Sequence, residues 1–118
     1  MHKFDLEFWQ MIDKLMESHE IVIDRKKGTR HPRYHDYIYP LDYGYLEGTV
    51  SSDGDGIDVW IGTSDEKVVK AMISSVDFIK GDSEIKLLYA CSDDEVQMVY
   101  EQHNRSDGMK GILTLRKL

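Results

Sequence analysis

Apolar residues recur at helical spacing between Asp5 and His19: Phe8, Ile12 and Leu15 share one face, Trp9 and Met16 flank it, and Asp5 is placed to cap the first turn. The pattern predicts an amphipathic helix packed on a core. Ile21-Val22-Ile23 is a β-branched run that reads as a strand leading into the loop Lys26-Lys27-Gly28-Thr29-Arg30-His31-Pro32. Tyr37-Ile38-Tyr39-Pro40 and Tyr43-Gly44-Tyr45 are too broken by Pro and Gly for a helix and suit an extended, bent path whose tyrosines line a cleft. Ile57 to Ile61, Lys67 to Val76 and Glu84 to Cys91 carry β-branched or alternating apolar residues and predict three strands. Ser92-Asp93-Asp94-Glu95 is a capping-box pattern, and Val96, Val99 and Tyr100 continue it as a second helix to about Asn104. Gly111 to Arg116 reads as a last strand.

Closely spaced strands with helices only near the ends predict an α+β, mainly β fold: an antiparallel, barrel-like sheet with an N-terminal and a C-terminal flanking helix. The 118 residues fall in the size range of one compact domain, expected to span 1–118. A hydrophobic fraction of 41% and a charged fraction of 31% are ordinary for a globular chain. Twenty-two acidic against fifteen basic residues give a formal net charge of -7, which argues against nucleic acid and anionic membranes as partners. The lone Cys91 has no intramolecular partner, and the N-terminus carries no apolar run of signal or membrane-span length, so a reducing, cytoplasmic setting is expected.

The sharpest chemical feature is Asp53-Gly54-Asp55-Gly56-Ile57-Asp58-Val59, which puts three carboxylates within six residues and supplies two glycines for bending around an ion. Hard divalent cations take such oxygen ligands. A turn closing into a strand can aim positions one, three and six at one point, which a plain strand cannot. The competing reading is a polar hairpin turn. An EF-hand loop is excluded by spacing, because its fifth and sixth positions would be Ile57 and Asp58. The basic stretch Arg25 to Arg30, joined by Arg33, reverses the local charge and suits phosphate oxygens, or else forms a solvated loop. Asp77, Asp82, Glu84 and Lys86 cluster around Gly81 and gain meaning only beside the aspartate run. His31, His35 and His103 lack zinc-ligand spacing, and no Walker loop or dinucleotide fingerprint is present.

The succession of Tyr39-Pro40-Leu41-Asp42-Tyr43-Gly44-Tyr45 and Asp53-Gly54-Asp55-Gly56-Ile57-Asp58-Val59 resembles the magnesium-dependent inorganic pyrophosphatases of the barrel-fold family. The likeness is strong from Ile21 to Ile61, weaker from Ala71 to Cys91 and marginal beyond. It implies a small closed, OB-like barrel, hydrolysis of pyrophosphate to two orthophosphates, Mg2+ as cofactor and possible homo-oligomers. By the resemblance, Asp53 and Asp58 are metal ligands and Asp55 is a ligand and the general base. Asp24, Glu84 and one or both of Asp77 and Asp82 complete the metal set. Arg33, Tyr39, Tyr43 and Lys86 match phosphate contacts, and Arg33, Tyr43 and Lys86 assist catalysis. Arg105, the next cation after Tyr100-Glu101, is the candidate for a late phosphate contact.

There are departures. Gly56 replaces a proline, His35 stands where an acidic residue is expected, and a stretch with a phosphate-binding arginine is missing, a loss that Arg30 is placed to offset. Each missing cation removes stabilisation of phosphoryl charge. Two other readings are therefore carried: a non-catalytic module binding pyrophosphate, nucleotide or metal, and a hydrolase of a larger phosphoanhydride. Retention of Asp55 favours an enzyme.

Overall fold

The structure is a computed structural model that describes residues 3–117. Its elements run α1 (Lys3–Ser18), β1 (Ile21–Arg25), β2 (Asp42–Leu46), β3 (Ile57–Ile61), β4 (Val69–Asp77), β5 (Asp82–Tyr89), α2 (Asp93–Gln102) and β6 (Met109–Leu115). Every element expected from the hydrophobic pattern is present, with ends displaced by a few residues at most. The capping box also forms: Ser92 Oγ accepts from the Glu95 N–H at 3.2 Å, and Glu95 Oε1 accepts from the Ser92 N–H at 2.9 Å.

The six strands make one sheet in the order β1-β2-β3-β5-β4-β6. The α+β, mainly β class holds, while two details of the expected barrel differ. β3 pairs with β5 in parallel, with Asp58 beside Lys86 and Trp60 beside Leu88. The sheet is also open: β1 and β6 are its two edges and do not pair among the described residues. Closure needs a common tilt and stagger around the ring. Among the described residues the short β1, interrupted at Asp24, pairs with β2 alone, so the ring is not completed.

Strand alternation divides the core into two clusters. On one face α1 lays Trp9 and Ile12 over Leu46, Val59, Val69 and Leu87. On the other, α2 supplies Val96 and Val99, which pack with Tyr39, Leu41, Trp60, Ile73 and Leu88. Asp58 and Trp60 on β3 and Lys86 and Leu88 on β5 share this second face. The first face is tied down by Arg116, which donates to both Asp13 carboxylate oxygens at 2.7 Å and lies over the Trp9 ring. Gly44 is required by close approach, since a Cβ there would collide with the Val22 carbonyl of β1.

Trp9 is the largest side chain that α1 buries, so Trp9→Ala removes most of that contact. Urea unfolding is expected to show a loss of about 3–5 kcal/mol; a loss below about 1 kcal/mol would mean that α1 is not held by this face.

Candidate active site

On the α2 face the strand ends, the tyrosine-bearing loop before β2, the β4–β5 hairpin and the turn after α2 enclose a cleft of about 720 Å³. Lys86 stands in its wall, 8% exposed. Its ammonium donates to the Tyr43 hydroxyl oxygen at 2.7 Å, Asp58 Oδ2 at 2.8 Å and Glu84 Oε2 at 3.0 Å, so all three protons are used. Burial alone would depress this lysine, but Tyr43 and Asp58 hold it above the ordinary lysine range. It is charged at any physiological pH. Burial also raises the Tyr43 phenol, which stays protonated.

Asp53 comes from the β2–β3 turn. Its Oδ1 accepts from Ser51 Oγ at 2.6 Å and from the Asp55 N–H at 2.9 Å, while Ser52 Oγ ties the turn to the Ser83 carbonyl at the start of β5 at 2.9 Å. Gly54 takes φ +88 within this turn, a conformation an L side chain rarely adopts. Glu84 reaches Asp53 from β5. The contact lowers Asp53 well below the usual carboxylate range, while burial and then Asp53 raise Glu84. The opposed shifts belong to two carboxyl groups held near one another, with Glu84 the one more readily protonated. Among the described residues, no group of three or more His, Cys, Asp or Glu side chains is gathered so as to hold a metal ion.

The structure brings most of the residues singled out in the sequence to this cleft. Tyr39, Tyr43, Asp53, Asp58, Glu84 and Lys86 line it, as do Asp77, Asp82 and Arg105. Asp77 Oδ1 accepts from the Lys80 N–H at 3.0 Å, and Asp82 pairs with the Lys80 ammonium at 3.6 Å, so both are engaged at the hairpin. Asp24, Arg33 and Asp55 are exposed and are not part of the lining. Asp24 is the unpaired residue of an irregularity in β1, where Ile23 faces Gly44 and Arg25 faces Tyr43. Arg33 lies in a turn whose N–H donates to His31 Nδ1 at 3.0 Å.

The sequence reading missed Trp60 and His103. Trp60 Nε1–H donates to His103 Nε2 at 3.1 Å, and the indole meets the Tyr43 ring that carries the Lys86 contact at a tilt, with ring centroids 4.5 Å apart. Burial, then the charge of Lys86, lowers the His103 pKa to about 4. Two spacings pointed here: Trp60 is two residues from Asp58 on one strand face, and His103 continues the helical series Val96 and Val99.

A family model described as inorganic pyrophosphatase matches residues 12–87, well over half of the chain. The chain belongs to the inorganic pyrophosphatase family. The matched segment runs from the buried Ile12 of α1 into β5 as far as Leu87, and so contains the acidic end of the cleft but not α2, His103 or β6. A curated relative, the inorganic pyrophosphatase of Picrophilus torridus, is 37% identical over 71 residues, covering 53% of this chain and 39% of its own length. Among solved structures, an inorganic pyrophosphatase of Coxiella burnetii aligns with TM-score 0.56 at 12% identity, covering 80% of this chain and 82% of the other. That of Helicobacter pylori aligns with TM-score 0.53 at 14% identity over 80% and 81%. At such identities the structural likeness speaks to the fold alone. Among the described residues, no helix is long and apolar enough to cross a membrane.

Lys86→Met leaves Asp58 and Glu84 facing each other without a cation. It is expected to cost about 3 kcal/mol in urea unfolding at neutral pH, with part of the loss recovered as Glu84 is protonated in acid; a variant as stable as the parent would show that the ammonium is not holding this wall. His103 generates a second expectation. Between pH 6.5 and about 4 the unfolded chain binds a proton that the folded ring refuses, so stability is complete above this window. It falls as pH drops through the window, by up to about 1.4 kcal/mol per pH unit. His103→Gln should remove that part of the pH dependence; an unchanged slope would exclude His103 as its source.

Proposed function

We propose that this cleft hydrolyses inorganic pyrophosphate to two orthophosphates with the aid of Mg2+. The observation that carries the reading is the Lys86 ammonium fixed against Tyr43, Asp58 and Glu84 in a cleft whose turn also presents Asp53. A cation-bearing wall beside oxygen-only donors suits a substrate that is itself a cluster of phosphoryl oxygens.

The donor chemistry suits a hard divalent ion, because the cleft lining offers the carboxylates of Asp53, Asp58, Asp77, Asp82 and Glu84 and no thiol. Asp53, Glu84 and Asp58 would hold it, with Asp55, Asp24, Asp77 and Asp82 as further candidates. When bound, Mg2+ acidifies a water molecule and neutralises phosphoryl charge. The remaining work falls to the chain. The charge of Lys86, whose protons are taken, and the hydroxyl of Tyr43 orient one phosphate, Arg105 and Tyr39 border the other, and Arg33 closes over the site. Asp55 takes the proton from the attacking water in an in-line displacement without a covalent intermediate. Asp55 and Arg33 lie outside the cleft lining, so this assignment includes inward movement of their loops. The whole chain is read as one domain serving this site, free of nucleic acid and membrane, in a cytoplasmic setting, with self-association as the family resemblance implies.

The test is orthophosphate release from pyrophosphate as Mg2+ is varied, with and without EDTA. Release should require Mg2+; Asp55→Asn should lower kcat at least 100-fold, and Asp53→Asn should raise the Mg2+ concentration needed. Absence of release from pyrophosphate by folded protein would sink the hydrolase reading, and release only from a nucleoside triphosphate would move the substrate to a larger phosphoanhydride.

A further inference from the structure

His103 follows the last turn of α2 and is 2% exposed, yet it borders the cleft. Its hydrogen bonding is decided by its partner. An indole nitrogen can only donate, so Nε2, which lies 3.1 Å from Trp60 Nε1, must accept. The imidazole proton is then on Nδ1. With burial and Lys86 keeping the ring neutral, Nδ1–H is a donor of fixed direction, and no acceptor for it exists among the described residues. Buried donors are rarely left this way, because an unpaired one forfeits its bonds to water and gains nothing in return. Accepting from Trp60 explains the Nε2 side of the ring, since an apolar ring would leave the indole N–H unpaired, but it does not explain a second, unpaired donor at Nδ1. An acceptor is missing, and the cleft that His103 borders also carries Lys86 and Arg105.

We propose that His103 is a phosphate-binding residue, donating its Nδ1–H to a phosphoryl oxygen held in the cleft. A tetrahedral oxyanion suits the place because it offers only acceptors, several of them, and its charge is met by the two cations. The neutral ring is suited to the task, since its donor persists across the physiological range. Nδ1 is covered in this structure, so the proposal includes a shift of the turn after α2, whose Arg105, Ser106 and Gly108 border the cleft, that uncovers the ring edge. The proposal rests on the cleft as a phosphate site, not on its hydrolytic activity.

Inorganic phosphate is the probe. Long-range proton–nitrogen NMR of the histidine rings follows a phosphate titration of the full chain, alongside calorimetric binding to His103→Phe and His103→Gln. The expected result is a saturable shift of the His103 ring nitrogens and about tenfold weaker phosphate binding in His103→Phe. His103→Gln, whose amide can accept from Trp60 and still donate to phosphate, should recover most of the affinity. No phosphate binding, binding without a His103 shift, or a folded His103→Phe that binds as tightly as the parent would overturn the proposal. If His103→Phe does not fold, the titration of the parent chain decides alone. A His103 shift without pyrophosphate hydrolysis sinks only the hydrolase reading, whereas hydrolysis with unmoved His103 resonances sinks only this one.

Discussion

A buried ammonium must have its three protons accepted and its charge balanced, and Lys86 meets both demands with groups from three strands. Tyr43 comes from β2, Asp58 from β3 and Glu84 from β5 itself. This can happen only if β3 and β5 are neighbours in the register that sets Asp58 beside Lys86, and if β2 lies next to β3. The parallel β3–β5 pairing is therefore the constraint from which the cleft follows. It also displaces β4 and β6 to the outer side of β5, where β4 carries Ser75 and Asp77 to the cleft.

The same strands separate the two kinds of work the sheet does. Val59 and Leu87 point to α1 and form a core that any well-packed apolar set could provide, while Asp58, Trp60 and Lys86 point to the opposite face and set the chemistry. A one-residue slip of β5 against β3 would turn Lys86 toward α1 and Leu87 into the cleft, leaving Asp58 without its partner. Packing of Trp9 and Ile12 on one face thus enforces the placement of Asp58 and Lys86 on the other. Stability and site geometry are coupled through register.

Local chemistry in the sequence reached far. The helical spacing of Phe8, Ile12 and Leu15 marks α1, the Ser92 to Glu95 pattern marks the start of α2, and β3 has the bounds its β-branched run implies. The spacing of Asp53 and Asp58 with their glycines singled out this turn against a plain polar hairpin, and Lys86 entered through the family resemblance; the structure sets all three on one cleft. What was not legible was non-local. Whether β3 pairs with β4 or with β5 depends on which faces bury best, and close strand spacing favours the antiparallel reading by default. Whether Asp55 joins Asp53 depends on the turn's own hydrogen bonds: the Asp55 N–H is drawn to Asp53 Oδ1 while Gly54 adopts positive φ, and the Asp55 side chain is left exposed. Asp24 is displaced by an irregularity in β1 that nothing in Ile21 to Arg25 announces.

Trp60 and His103 show where a sequence reading tied to charge loses sight of a site. Neither is charged at neutral pH, and each alone is an ordinary core residue. Together they extend the wall of the cleft away from its acids: Lys86 to Tyr43 by a hydrogen bond, Tyr43 to Trp60 by ring contact, and Trp60 to His103 by a second hydrogen bond. The Trp60–His103 bond crosses from the sheet to α2, so the acidic end of the cleft, within the matched family segment, is physically joined to a part of the chain outside it. Carboxylates at one end of the cleft and an imidazole N–H without an acceptor at the other make opposite demands in one cavity, the first suited to a cation and the second to an anion. A phosphate compound carrying a divalent cation, the ligand proposed for this cleft, would answer both at once.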